Sequence, residues 1–334
     1  MPAQSIDLIE VRKAAKRFGD FTALNGVSFT IKKGELFGLL GPNGAGKTTM
    51  INLILGLLKA TSGAIIVDGR DISRDPAYVK KIIGMMTQET VVEPDLTAKQ
   101  NLELFARLYG LREAEMNKRV NEALREANLE DKANVRAGTF SGGMQRRLEL
   151  VKSMINVPKI LILDEPTTGL DVQNRLDMWK RIKELSKQGV TIIMTTQYLE
   201  EADSLCERIA VIDHGEIKAI GTPLELKRLV ATNPILEVVA KPEALEQVAE
   251  IVRTKYKLKP EVNGEKLLAE ISGDTARVVS GIMSEASKRK IEVYSISSRL
   301  TTMDDVFIKL TGSSLRDTTS NSYESPRSQM LPRR

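Results

Sequence analysis

The stretch Glu35–Leu58, ELFGLLGPNGAGKTTMINLILGLL, decides the fold. An apolar run, Glu35 to Leu40, has the length of a buried strand and stops at a glycine-rich turn. A second apolar run, Thr48 to Leu58, is predicted to be a helix. Between them Gly41, Pro42, Asn43, Gly44, Ala45, Gly46, Lys47 and Thr48 fit the pattern G-x-x-x-x-G-K-[ST], with Thr49 directly after it. The glycines allow a tight wrap in which successive N–H groups and a helix N-terminus point at phosphate oxygens. A lysine there is placed to hold β- and γ-phosphates, and a hydroxyl at Thr48 to ligate magnesium. A turn alone needs neither a lysine nor two threonines.

Working outward, Ile160-Leu-Ile-Leu163 buries a strand and is followed at once by Asp164 and Glu165. In an open parallel sheet ligands sit beyond the carboxyl ends of the strands, so both acids belong to the phosphate site. Asp164 is expected to hold magnesium through its water shell, and Glu165 to polarise an attacking water. The run Val190 to Met194 reads as a further buried parallel strand, with Leu170 to Gln188 as the crossover helix between the two. Strands are also expected at Ile6–Val11, Val27–Ile31 and Ile82–Thr87, and hairpins around Gly63–Gly69 and Asp213-His214-Gly215. The polar stretch 96–157 reads as a helical insertion. The fold class is therefore α/β.

The chain has 334 residues, 42% of them hydrophobic, which is enough for two cores. The pattern changes after a short helix opened by Pro223. A first domain is placed at 5–230 and a second at 231–312. The second reads as strand, helix (Pro242–Tyr256), hairpin at Asn263-Gly264, helix (Thr275–Lys290), strand (Ile291–Ser298) and closing helix, a ferredoxin-like α+β order. The tail 313–334 has almost nothing to bury and is expected to be disordered.

A net charge of +5 is too diffuse to imply nucleic acid, and no nucleic-acid partner is expected. Cys206, the one cysteine, excludes an internal disulfide and a cysteine-rich zinc site, and reads as a small buried residue. The greasiest stretch, Met50–Leu58, is far short of the roughly 18 residues that span a bilayer, so the chain itself is expected to be soluble.

Between the lysine loop and the two acids lies Phe140-Ser141-Gly142-Gly143-Met144-Gln145, and with it residues 5–230 closely resemble an ABC transporter nucleotide-binding subunit. The resemblance implies a P-loop ABC ATPase fold, a mixed-sheet core with a helical subdomain at about 96–157, binding ATP and Mg2+ as a homodimer or heterodimer of ATPase subunits. Ser141, Gly142 and Gly143, with Gln145 opening the next helix, would contact the γ-phosphate held by the other subunit's Lys47. By the same resemblance Gln88 reaches magnesium, Asp171 in Gly169-Leu170-Asp171 lies at the dimer crossing, and Phe18 stacks on adenine. Where the family usually has a histidine contacting the γ-phosphate, this chain has Gln197, which can donate to phosphate but carries no titratable proton. The only histidine, His214, is expected in a solvent-exposed turn.

The whole chain, including Thr301-Thr-Met-Asp-Asp-Val-Phe-Ile-Lys-Leu-Thr-Gly312, resembles the ATP-binding subunits of daunorubicin-type drug exporters. That implies an ABC-2-type transmembrane permease subunit as partner, a peripheral position on the cytoplasmic face of the cell membrane, and export of a hydrophobic or drug-like compound. The alternative is a non-transport or regulatory ABC-type module with weak hydrolysis.

Overall fold

Breaks in hydrophobic alternation hide the length of the first two strands in the sequence. The computed structural model describes residues 7–312. In it β1 (Asp7–Phe18) and β2 (Phe21–Lys32) form one long antiparallel hairpin, where the sequence suggested only its apolar pieces. The reason is a register shift between Val11 and Ala14, where Lys13 takes a left-handed φ of 45° and scrambles the period-two pattern. The chain continues through β3 (Leu36–Leu40), α1 (Lys47–Ile54), β4 (Ser62–Val67), β5 (Arg70–Asp71), α2 (Pro76–Ile82) and β6 (Ile83–Met86). Helix α1 is shorter than its apolar run, because Gly56 at φ 66° ends it with a left-handed turn. The short helix α2, opened by Asp75 and Pro76, has too few residues to show a period.

Three helices follow, α3 (Ala98–Leu108), α4 (Glu113–Glu126) and α5 (Gly142–Ser153), and they surround their own apolar cluster of Leu102, Val120, Leu124 and Leu148. Then come β7 (Ile160–Asp164), α6 (Val172–Lys187), β8 (Thr191–Thr196), α7 (Leu199–Leu205), β9 (Arg208–Asp213) and β10 (Glu216–Gly221). The chain divides into two compact units between Pro223 and Leu224, at the start of α8 (Pro223–Arg228) rather than after it.

The first unit carries two sheets. One, β2-β1-β4-β5, is antiparallel; the other has the order β10-β9-β3-β8-β7-β6, parallel from β9 to β6 with β10 antiparallel at its edge. Every residue of β3, β7 and β8 is buried, as apolar runs without alternation require. The core between the sheets contains Ile9, Leu24, Ile65, Met50 and Ile162, and the rings of Phe29 and Phe37 stack at 5.3 Å across it. Gly84 in β6 has no room for a side chain, since a Cβ there would lie 2.0 Å from the Ser153 carbonyl oxygen of α5.

The second unit runs β11 (Ile235–Ala240), α9 (Pro242–Lys255), β12 (Glu261–Asn263), β13 (Lys266–Glu270), α10 (Thr275–Lys288), β14 (Val293–Arg299) and α11 (Met303–Thr311). Its antiparallel sheet has the order β12-β13-β11-β14, two interleaved strand–helix–strand units, the ferredoxin-like arrangement. Leu236, Val248, Val252 and Ile282 lie in its core. The tail 313–334 lies outside the described residues. Among the described residues, no helix is long and apolar enough to cross a membrane.

Candidate functional site

Four parallel strands end at one edge of the six-stranded sheet, and the chain leaving each of them carries a predicted site residue. The lysine loop follows β3, Gln88 follows β6, Asp164 and Glu165 end β7, and Gln197 follows β8. Register places Asp164 opposite Thr195 and Leu40 opposite Thr196, so these ends are level.

The loop depends on its glycines in two ways. Gly44 and Gly46 hold left-handed φ of 81° and 107°, and a Cβ on Gly41 would meet the Ile212 carbonyl oxygen at 2.2 Å. Lys47 is buried, and its Nζ donates to the carbonyl oxygens of Gly41 at 2.7 Å and Pro42 at 3.0 Å. Glu165 Oε1 lies 3.8 Å away. Burial pushes the Lys47 pKa down, and the charges of Glu165 and Asp164 pull it back.

Glu165 stands in the left-handed region, φ 48°, which a non-glycine residue adopts only where its surroundings fix it. Its amide donates to the Thr195 carbonyl at 3.2 Å and to Thr195 Oγ1 at 3.1 Å. Its Oε2 accepts from Thr168 Oγ1 at 3.1 Å and from the amide nitrogens of Gln88 and Gln197, each at 3.4 Å. Asp164, also buried, accepts from the Thr195 hydroxyl. Lys47, Gln88, Asp164, Glu165 and Gln197 thus form one cluster of a buried cation, two buried acids and two amides. Thr48 is exposed on the first turn of α1. Together the Thr48 hydroxyl, the Asp164 carboxylate and the Gln88 amide oxygen form an all-oxygen donor set that suits a hard cation keeping several waters. Thr168 and Thr195 escaped sequence reading; the signal was a hydroxyl within three residues of each acid or its facing strand.

The Ser-Gly-Gly turn forms a second group. Ser141 caps α5, its Oγ accepting from Met144 N, and Gln145 donates to the Ala137 carbonyl. A Cβ on Gly143 would meet Asn174 Oδ1 at 2.4 Å. Asn174 in turn donates to Asp171, the cap of α6, through its backbone at 2.9 Å and its side chain at 2.6 Å. These bonds, the backbone one foremost, lower the Asp171 pKa. No hydrogen bond or ion pair joins Ser141, Gly142 or Gly143 to Lys47 or Glu165 among the described residues. Phe18 lies, 46% exposed, at the tip of the β1–β2 hairpin with Lys16 Nζ 4.9 Å from its ring centre. His214 is exposed in the β9–β10 turn, as expected.

Three charged side chains of α5, spaced three apart, hold the loop that carries Gln88. Arg146 donates to the Thr87 carbonyl at 2.9 Å and to the Gln88 carbonyl, and pairs with Glu149 at 2.9 Å. Glu149 accepts from Val91 N at 3.0 Å, and Lys152 donates to the Val91 carbonyl. All three are buried.

A lysine loop, two acids at a strand end and an outward Ser-Gly-Gly turn are the parts of one kind of enzyme. The family model described as ABC transporter matches residues 24–168. The chain is 35% identical to the linearmycin resistance ATP-binding protein LnrL of Bacillus subtilis, over 93% of this chain and 100% of that one. It belongs to the ABC transporter ATP-binding proteins. It is also 39% identical to the daunorubicin resistance ATP-binding protein DrrA2 of Streptomyces coeruleorubidus, over 89% of this chain and 92% of that one. Among solved structures it is similar to a dimeric ATP-binding cassette in a post-hydrolysis state bound to ADP and Pi. That match has 29% identity and a TM-score of 0.58, and covers 64% of this chain and 98% of that one. As a member of this family the protein binds ATP and is an ATPase.

Proposed function

We propose that this ABC ATPase hydrolyses MgATP at a head-to-tail dimer interface and drives export through a separate ABC-2-type transmembrane subunit at the cytoplasmic face of the membrane. One observation carries the dimer: the chain gathers Lys47, Asp164, Glu165, Gln88 and Gln197 around one point, while its Ser141-Gly142-Gly143 turn has no bond to that cluster. The turn is an anion-seeking helix N-terminus that a second chain's γ-phosphate completes. Export of a drug-like compound rests on the relatives named for linearmycin and daunorubicin resistance.

In this reading Gly41 to Thr49 cradle the phosphates and Lys47 leaves its carbonyl partners for the β- and γ-oxygens. Phe18 stacks on the adenine, and Ser141–Gly143, Gln145 and Asp171 act across the interface. Magnesium, held by Thr48, Gln88 and Asp164, supplies charge neutralisation of the phosphates. Glu165 accepts a proton from water as its oxygen attacks the γ-phosphorus; the bond to the bridging oxygen breaks, and ADP carries the electron pair away. Turnover per subunit should rise with protein concentration until the dimer saturates. Constant specific activity across a hundredfold dilution of a monomeric preparation would sink the dimer.

Gln197 shares Glu165 Oε2 with Gln88 and orients the carboxylate. Gln197→Ala is expected to lower kcat roughly tenfold, the scale of one lost polar contact, and Gln197→His to add a pH dependence near the imidazole range. Wild-type kcat in the alanine variant, read from steady-state phosphate release, would make Gln197 a bystander.

A further inference from the structure

The segment Gln197–Asp203 contains two adjacent glutamates with opposite environments: Glu200 is exposed, whereas Glu201 is wholly buried in α7. Glu201 Oε1 accepts from Thr167 Oγ1 at 2.8 Å and from the indole nitrogen of Trp179 at 3.0 Å. Its other oxygen, Oε2, is buried with no hydrogen-bond partner among the described residues. Burial raises its pKa, and nearby Thr196, the Thr167 and Trp179 bonds and the Arg175 charge oppose that rise. A buried carboxylate costs several kcal/mol of desolvation, and well-packed apolar side chains are often equally or more stable in such a place. Stability alone is a poor reason for its presence.

Its partners supply a better one. Thr167 follows Glu165 by two residues, and its neighbour Thr168 donates to Glu165 Oε2 at 3.1 Å. Glu201 itself follows Gln197 by four residues, and Thr195, two before Gln197, bonds both Glu165 N and Asp164. Trp179 belongs to α6, whose cap is Asp171. We infer that Glu201 is a positioning residue for ATP hydrolysis: its buried carboxylate ties the turn after Glu165, through Thr167, to α6 and to α7, the helix that follows Gln197. This rests on the reading of Glu165 and Gln197 given above. Glu201 has no bond to Lys47, Glu165 or Gln197 among the described residues; it acts through Thr167.

Glu201→Ala leaves the Thr167 hydroxyl and the indole N–H without their acceptor, whereas Glu201→Gln keeps a carbonyl oxygen for them. With MgATP, Glu201→Ala is expected to lose at least about tenfold in kcat while KM stays within about threefold, and Glu201→Gln to stay within about threefold of wild type in both. In the nucleotide-free protein, backbone amides of residues 167–171 should exchange with solvent at least about tenfold faster in Glu201→Ala, with α1 unchanged. Thr167→Val, which removes one hydroxyl from the same bond and little volume, should move kcat and exchange in the same direction and decides the matter if Glu201→Ala does not fold. Wild-type kcat and exchange in the folded alanine variant, or in Thr167→Val, overturn the inference. So does a glutamine variant as impaired as alanine. A Glu165→Gln protein that still turns over would sink the reading of Glu165, while the exchange result for residues 167–171 would stand by itself.

Discussion

Glu165→Gln is expected to lose turnover by on the order of 10³-fold while still binding MgATP, because general base catalysis contributes about 10²- to 10⁴-fold and binding is left to other groups. The geometry makes this substitution a clean one. Three donors, Thr168, Gln88 and Gln197, converge on Glu165 Oε2, so a glutamine that turns its carbonyl oxygen to them keeps their bonds. Its amide then faces Lys47 in place of Oε1, which stood 3.8 Å from Nζ. What disappears is the ability to accept a proton from water. With two chains bridged by uncleaved ATP, gel filtration should show a dimer that persists with MgATP and dissolves with MgADP. Phosphate release within tenfold of wild type would remove Glu165 from the role of base.

Lys47→Ala should raise the Kd for MgATP at least about 100-fold, close to 2.7 kcal/mol. The lysine is the only cation bonded within the cluster of described side chains around Asp164 and Glu165, and its burial pushes the pKa down, so charge there is already held at some cost. A phosphate offers that ammonium a stronger acceptor than the carbonyls of Gly41 and Pro42. Lys47→Arg is not a gentle alternative, since a planar fork does not fit where a compact ammonium sits between two carbonyl oxygens. Equilibrium titration of nucleotide settles it, and an unchanged Kd would mean that the loop amides alone carry the binding.

Local signals made half of this legible. The lysine loop and the run ending in Asp164-Glu165 combine strand, turn and chemistry within a few residues, and the structure brings both to one sheet edge. The Ser-Gly-Gly turn has no such local meaning and was readable only through family resemblance. Long-range pairings stayed hidden. Arg146, Glu149 and Lys152 would pass for a solvated face on sequence alone, yet they are buried against backbone carbonyls and an amide of residues 87–91. Glu200 and Glu201 are identical neighbours, and nothing in either residue says which one is buried; the weak clue is that Glu201 falls four residues before buried Leu205 on the same helix face. The length of β1 and β2 was lost for the opposite reason, a local kink at Lys13 that erased a pattern.

The three side chains by which α5 holds the Gln88 loop make the helix a stiff lever. At 1.5 Å per residue α5 is about 18 Å long, and its first turn carries Ser141 to Gly143. Bonds to the Thr87, Gln88 and Val91 carbonyls and to the Val91 amide leave little backlash between loop and helix. A displacement of residues 87–91 is expected to carry the Ser-Gly-Gly turn with it. The loop and the helix end are then expected to move as one piece.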